Sequence, residues 1–328
     1  MTPCPLTRWM RAGNVTTTPL AGILPTVTAL AAAIPRPSAC QPDTGLCEPD
    51  RQGLMRAPEA TADWDSLPGA LRAAIQARAG TVTGSSPAGE GLSTSVRLIL
   101  HTESGDVFVK GTGPGSSDAQ RIRLALGADL ARYLTAISPP LLWRASADGW
   151  DVTGWPALPG RPWADHKPGS PDIPKLIGLL TTLSLTPAPS MLTRTARDYW
   201  CQYADDPAAL DGNAIVHRDP NPTNFVINGD RAWMVDFGWA VRGPAWMTSA
   251  GLIISMMESG WEPADADNAL KAVPAWAAAP RHAVNELACA TVREWNQLTQ
   301  QNPTHQVWQS RASTARAWAA YRENSTRF

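Results

Sequence analysis

The chain has 328 residues, 44% of them hydrophobic and 17% charged, with a formal net charge of −1. That length accommodates one large domain or two lobes with a sizeable core. The near-neutral balance and the lack of a basic run exclude a chain built to track nucleic-acid phosphates.

Taken from the N-terminus, residues 1–54 are rich in Pro and Thr with little periodicity. Pro25 interrupts the apolar patch from Leu20 to Ile34, which is too short and broken for a transmembrane helix. Arg8 and Arg11 ahead of an Ala-rich stretch give a faint signal-peptide pattern. The expectation is a disordered or untranslated extension, with Met55 as the start. A first helix is predicted from Ser66 as N-cap, with Pro68 in its first turn, to Ala79, and it stops at Gly80. A loop rich in Gly, Ser and Pro fills 81–91. Strands follow at 95–100 and 107–110, the second ending in Lys110. Ile122, Leu126, Leu130 and Leu134 share one face of a helix predicted over 118–134. Further strands fall at 141–143 and 150–153. A connector at 154–160 separates an N-terminal lobe, 62–153, from a C-terminal lobe, 154–328. The second lobe reads as mostly helical, with helices at 174–185, 250–259, 264–273, 284–300 and 307–322, and Pro274 should end or kink the third of these.

The segment 215–238 carries the chemistry. Ile215-Val216 leads into His217-Arg218-Asp219, Asn224 follows after four residues, and Met234-Val235-Asp236-Phe237-Gly238 lies just beyond. This is the layout of a kinase catalytic loop followed by a metal-binding Asp-Phe-Gly. Phosphoryl transfer needs a carboxylate to orient the attacking hydroxyl and oxygen ligands to hold Mg²⁺ on the phosphates. Asp219, Asn224 and Asp236 offer those groups. Phe225-Val226-Ile227 and Trp233-Met234-Val235 read as buried strands, and Asn228-Gly229-Asp230-Arg231 as a tight hairpin turn. Lys110 reads either as a phosphate ligand or as a solvated edge charge. The loop Gly89-Glu90-Gly91 lacks a third Gly; if it covers phosphates, Gly91 and Ser93 are its contacts, and otherwise it is a surface loop. His217 reads as a structural imidazole bonded to backbone near the metal loop. His101, His166, His282 and His305 read as surface or loop residues. Cys201 and Cys289 sit in apolar helical contexts and read as buried thiols, which points to a reducing compartment.

With these motifs, residues 62–328 resemble the aminoglycoside phosphotransferase and choline kinase-like family, small-molecule relatives of protein kinases. The resemblance implies an α+β, two-lobed protein kinase-like fold, with a small antiparallel-sheet N-lobe and a mostly helical C-lobe. It implies ATP in the cleft, Asp219 as catalytic base, Asn224 and Asp236 on Mg²⁺, and Lys110 on the α- and β-phosphates. The backbone near 152–155 would face adenine. The helix at 118–134 has no Glu to pair with Lys110, so Asp129 is the substitute, with Asp118 as the other choice.

The leading expectation is a cytoplasmic, ATP- and Mg²⁺-dependent phosphotransferase acting on a hydroxyl of a small molecule, with no nucleic-acid or membrane partner; a nucleotide-dependent enzyme would find little ATP outside the cell. An aminoglycoside or another amino-sugar or amino-alcohol is a candidate acceptor. Glu258, Glu262, Asp265 and Asp267 would attract such a cation, or simply complement a helix N-terminus. Trp246 and Trp261 are candidates to line its pocket. The alternatives are a nucleotide-binding degenerate kinase with a regulatory role and a protein kinase. Oligomeric state is not legible.

Overall fold

The computed structural model describes residues 61–89 and 94–325. The expected extension at 1–54 lies outside them. In the N-terminal lobe, strand alternation does what period-two patterning requires. On β2 (Val96–Thr102), Val96, Leu98 and Leu100 are buried. On β3 (Gly105–Thr112), Val107 and Val109 join them. The opposite faces carry Arg97, Ile99, Phe108 and Lys110. Five antiparallel strands line up in the order β1-β2-β3-β5-β4, with β1 at Val82–Pro87, β4 at Trp143–Ala147 and β5 at Trp150–Pro156. Helix α1 (Gly69–Ala79) closes the buried face with Leu71, Ile75 and Ala79.

Several boundaries depart from the sequence reading. Ser66 does not cap α1: it ends a short 3₁₀ turn and its hydroxyl donates to the Asp63 carbonyl, while Pro68 stands at the N-cap. Half of the expected loop at 81–91 is the edge strand β1, paired with β2. Its Gly and Ser hide the strand signal, and pairing with a neighbour decides the matter. The expected connector at Gly154 begins only after Pro156. Gly154 lies within β5 opposite Trp143, where a Cβ would stand 2.2 Å from the indole ring.

Helix α2 (Asp118–Leu130) starts with a capping box between Ser117 and Gln120. It ends four residues earlier than predicted, in a 3₁₀ turn, and Ile122 is exposed while Leu126 and Leu130 enter the C-lobe core. The helix therefore reaches from the sheet to the second lobe. The C-lobe has helices α3 (Ile173–Ser184), α4 (Ala196–Trp200), α5 (Met247–Glu258), α6 (Pro263–Leu270), α7 (Pro274–Ala277), α8 (Arg281–Gln301) and α9 (Gln306–Asn324). Two small strand pairs are set among them: β6 (Ala214–Val216) with β9 (Val241–Gly243), and the hairpin of β7 (Phe225–Asn228) and β8 (Arg231–Met234). The arrangement is the two-lobed kinase-like α+β fold.

Cys201 and Cys289 are both disulfide-bonded, not free thiols. The inference of a reducing compartment rested on free thiols and loses that support. Neither cysteine has redox or metal-ligand spacing in the sequence, so the disulfide bonding is not visible there.

Candidate active site

Three buried apolar residues of β6 deliver the chain to His217, which is 1% exposed. The His217 Nδ1 accepts from the Asp219 N–H at 3.2 Å, so Nε2 carries the hydrogen and donates to the Val235 carbonyl at 2.9 Å. Burial pushes this imidazole below its ordinary pKa and keeps it neutral. It packs edge-on against Phe237 with centroids 4.6 Å apart. His217 thus clamps the loop before Asp219 to the strand end before Asp236, the structural role expected of it.

Asp219 is held from one side. Its Oδ2 accepts from Asn221 Nδ2 at 2.8 Å and from Asn224 Nδ2 at 3.3 Å, and Asn224 Nδ2 also donates to the Asp219 carbonyl at 2.7 Å. Those bonds orient the Asn224 amide and leave its Oδ1 without a hydrogen bond among the described residues. Asp236 adopts a left-handed backbone, φ 65°. A non-Gly residue there is sterically disfavoured and marks a constrained site. Its Oδ1 accepts from Lys110 Nζ at 2.8 Å. Desolvation pushes the Asp236 carboxyl up, but the charge and hydrogen bond of Lys110, with Arg97 beyond, bring it down to about 2. Asp219, Asn224, Asp236 and Lys110 are therefore brought together.

Asp129 is not. It accepts from Arg144 on β4, and Lys110 makes its ion pair with Asp236 instead. The cause is the register of α2. Its Gly127 lies against the Asp-Phe-Gly segment, where a Cβ would stand 3.4 Å from the Gly238 nitrogen. A glycine thus faces the Asp-Phe-Gly segment, and Asp129 is rotated towards the sheet edge. Asp118, the other choice, stands in the exposed first turn of α2. Gly91 and Ser93 lie outside the described residues. Arg97 was missed: it sits directly opposite Lys110 in the β2–β3 register and its charge acts on Asp236. The strand alternation put both side chains on one face, a signal that was legible.

On the other side of Asp219 opens a pocket of about 110 Å³, bounded by Trp200, Glu258, Glu294, Trp295 and Arg311. Glu294 is 7% exposed and fully engaged, accepting from the Tyr199 hydroxyl and from Trp200 Nε1. Arg218 lies over the Tyr199 ring, 3.2 Å from its centroid. Arg311 Nη1 stands 3.6 Å from Asp219 Oδ1, and its Nε 3.5 Å from Glu258 Oε1. Glu258 alone of the expected acidic stretch reaches this pocket. Asp267 is buried against Arg322 and Tyr321, and Glu262 and Asp265 stand at the start of α6. Trp246 and Trp261 do not line it: Trp246 is core beside Trp276, and Trp261 Nε1 donates to the His166 carbonyl. His166 is no surface residue. It is 1% exposed and bonded to Ser255. Arg311 had a faint signal in sequence. It shares the buried face of α9 with Trp308, Ala315 and Trp318, where a lone charge is out of place.

No family model and no curated protein sequence matches the chain. Solved structures do match in shape. The aminoglycoside phosphotransferase of Alicyclobacillus acidocaldarius aligns with TM-score 0.54 at 11% identity, over 82% of this chain and 97% of its own. The choline/ethanolamine kinase family protein of Mesorhizobium loti aligns with TM-score 0.51 at 17% identity, over 77% and 98%. A thermostable aminoglycoside phosphotransferase solved with ADP and hygromycin B aligns with TM-score 0.50 at 11% identity, over 75% and 97%. At these identities the likeness is one of fold.

Proposed function

We propose that the chain is an ATP- and Mg²⁺-dependent phosphotransferase acting on a hydroxyl of a small molecule. One observation carries the reading: Asp219 is fixed by amides at Oδ2 while Oδ1 faces a pocket, next to a second carboxylate, Asp236, paired with Lys110. The acceptor oxygen forms a bond to the γ-phosphorus as the β–γ bridging bond breaks, ADP departs, and the hydroxyl proton passes to Asp219. Lys110 and Arg97 present two positive charges to the phosphates. The free Oδ1 of Asn224 and the carboxylate of Asp236 are hard oxygen donors that suit Mg²⁺, which holds few protein ligands and takes the rest from phosphates and water. Bound there, the ion would neutralise charge on the phosphates. An acceptor within the cleft of a two-lobed kinase-like fold also agrees with the solved structure that holds ADP and hygromycin B together. By that likeness an amino-sugar or amino-alcohol is one candidate class of acceptor, and the pocket's own charges bear on the choice.

A nucleotide-binding protein without turnover is the second reading. It is favoured by Lys110 being held by Asp236 with no helix Glu to share it. The test is ATP with and without Mg²⁺ in a thermal-shift assay, then ADP release and labelled phosphate transfer across an acceptor panel. Mg²⁺-dependent binding with transfer supports the first reading; binding with no transfer supports the second.

A further inference from the structure

The acids around the pocket are already engaged from within the chain. Glu294 spends both oxygens on Tyr199 and Trp200. Glu258 and Asp219 share the guanidinium of Arg311, which also lies 5.4 Å from the Trp295 ring centroid. A second cation, Arg218, borders the same space. A cationic acceptor would therefore reach Asp219 or Glu258 only by displacing Arg311, a like charge. The Arg311 contacts, at 3.5 and 3.6 Å, are ion pairs longer than good N–H···O hydrogen bonds. Its N–H donors remain available to an incoming oxygen. Charge-assisted donors, carboxylate acceptors and indole rings lining one small space are the chemistry that recognises hydroxyl groups on a compact carbon frame.

We propose that the acceptor is an uncharged polyhydroxyl compound of the sugar or polyol class, and that Arg311 is the residue that selects it by hydrogen-bonding its hydroxyls and repelling amines. This rests on the reading of Asp219 as the base. Arg311 comes from α9 and also pairs with Asp219, so its role in selection is read from the order of preference between matched probes and not from the absolute rate. Selection of this kind acts through a repulsive element as much as through an attractive one.

The experiment uses the full chain with ATP and Mg²⁺, and matched probes: glucose against glucosamine, glycerol against aminopropanediol, inositol against choline and kanamycin. Wild type should phosphorylate at least one neutral probe with kcat/KM tenfold or more above its amine counterpart. Arg311→Gln should reverse that order, because Glu258 and Asp219 then stand unpaired. Arg311→Lys should retain the preference for the neutral probe, which separates charge from mere packing. A wild-type preference for amines overturns the proposal while leaving the phosphotransferase reading intact. An Arg311→Gln protein that folds and keeps the wild-type preference also overturns it. Transfer to none of these probes counts against the neutral class, and Mg²⁺-dependent ATP binding in the same samples then tells whether the nucleotide reading survives.

Discussion

Asp219 divides its two oxygens between anchoring and exposure, so its substitution separates chemistry from binding. Asp219→Asn keeps the size and loses the proton acceptor, and phosphotransfer should fall by about a hundredfold or more. Nucleotide affinity should stay near wild type; near-normal turnover would remove Asp219 from the mechanism. Asp236→Ala strips the proposed hard-cation ligand and the partner of Lys110 together, so Mg²⁺ should no longer strengthen ATP binding. Calorimetry with and without the ion reads this directly. His166 gives a pH prediction. Desolvation drives its pKa from 6.5 down to about 4, against the opposing charges of Asp165 and Asp172. The unfolded chain therefore binds the proton first. Stability should be fully present above pH 6.5 and fall as pH drops from there towards about 4, by a total of about 3 kcal/mol. His166→Asn should flatten that slope in denaturant melts at a series of pH values.

Among the elements, close approaches set positions that no side-chain pattern announces. Gly154 lets β4 and β5 pass with the Trp143 ring directly over the backbone. Gly154→Ala forces the indole or the strand to shift and should cost about 1–3 kcal/mol. The thermal midpoint would report it, and an unchanged midpoint would mean that the sheet yields easily there. Gly127 does similar work between α2 and the Asp-Phe-Gly segment. Asp172 joins elements by another route. It is 1% exposed and accepts from Arg161, Lys175 and the Asp165 backbone, and these bonds outweigh desolvation to hold its carboxyl below the usual range.

At the scale of the whole molecule, the disulfide-bonded Cys201 and Cys289 belong to segments that border the pocket, near Trp200 and Glu294. A native disulfide typically stabilises by about 2–4 kcal/mol. Reductant should therefore lower the thermal midpoint of the purified protein, and replacing both Cys201 and Cys289 by Ser should abolish that sensitivity. An equal midpoint with and without reductant would show that the bond contributes nothing. Among the described residues no helix is long and apolar enough to cross a membrane.

What the sequence determined by itself is the short-range part. His217, Asp219, Asn224 and Asp236 fall within twenty residues, and their spacing brings them together because a hairpin and a tight loop leave them no other place to go. The alternation of β2 and β3, and the turn at 228–231, were legible for the same reason. Tertiary packing decided the rest. Asp129 turned to Arg144 because the rotation of α2 is set by Gly127 against Gly238, a contact between segments more than a hundred residues apart. Arg311 reached Asp219, and Cys201 and Cys289 entered disulfide bonding, because long-range burial chooses which helix faces meet. Local pattern states which face of a helix is apolar. It does not state which charge on that face the fold will carry to Asp219.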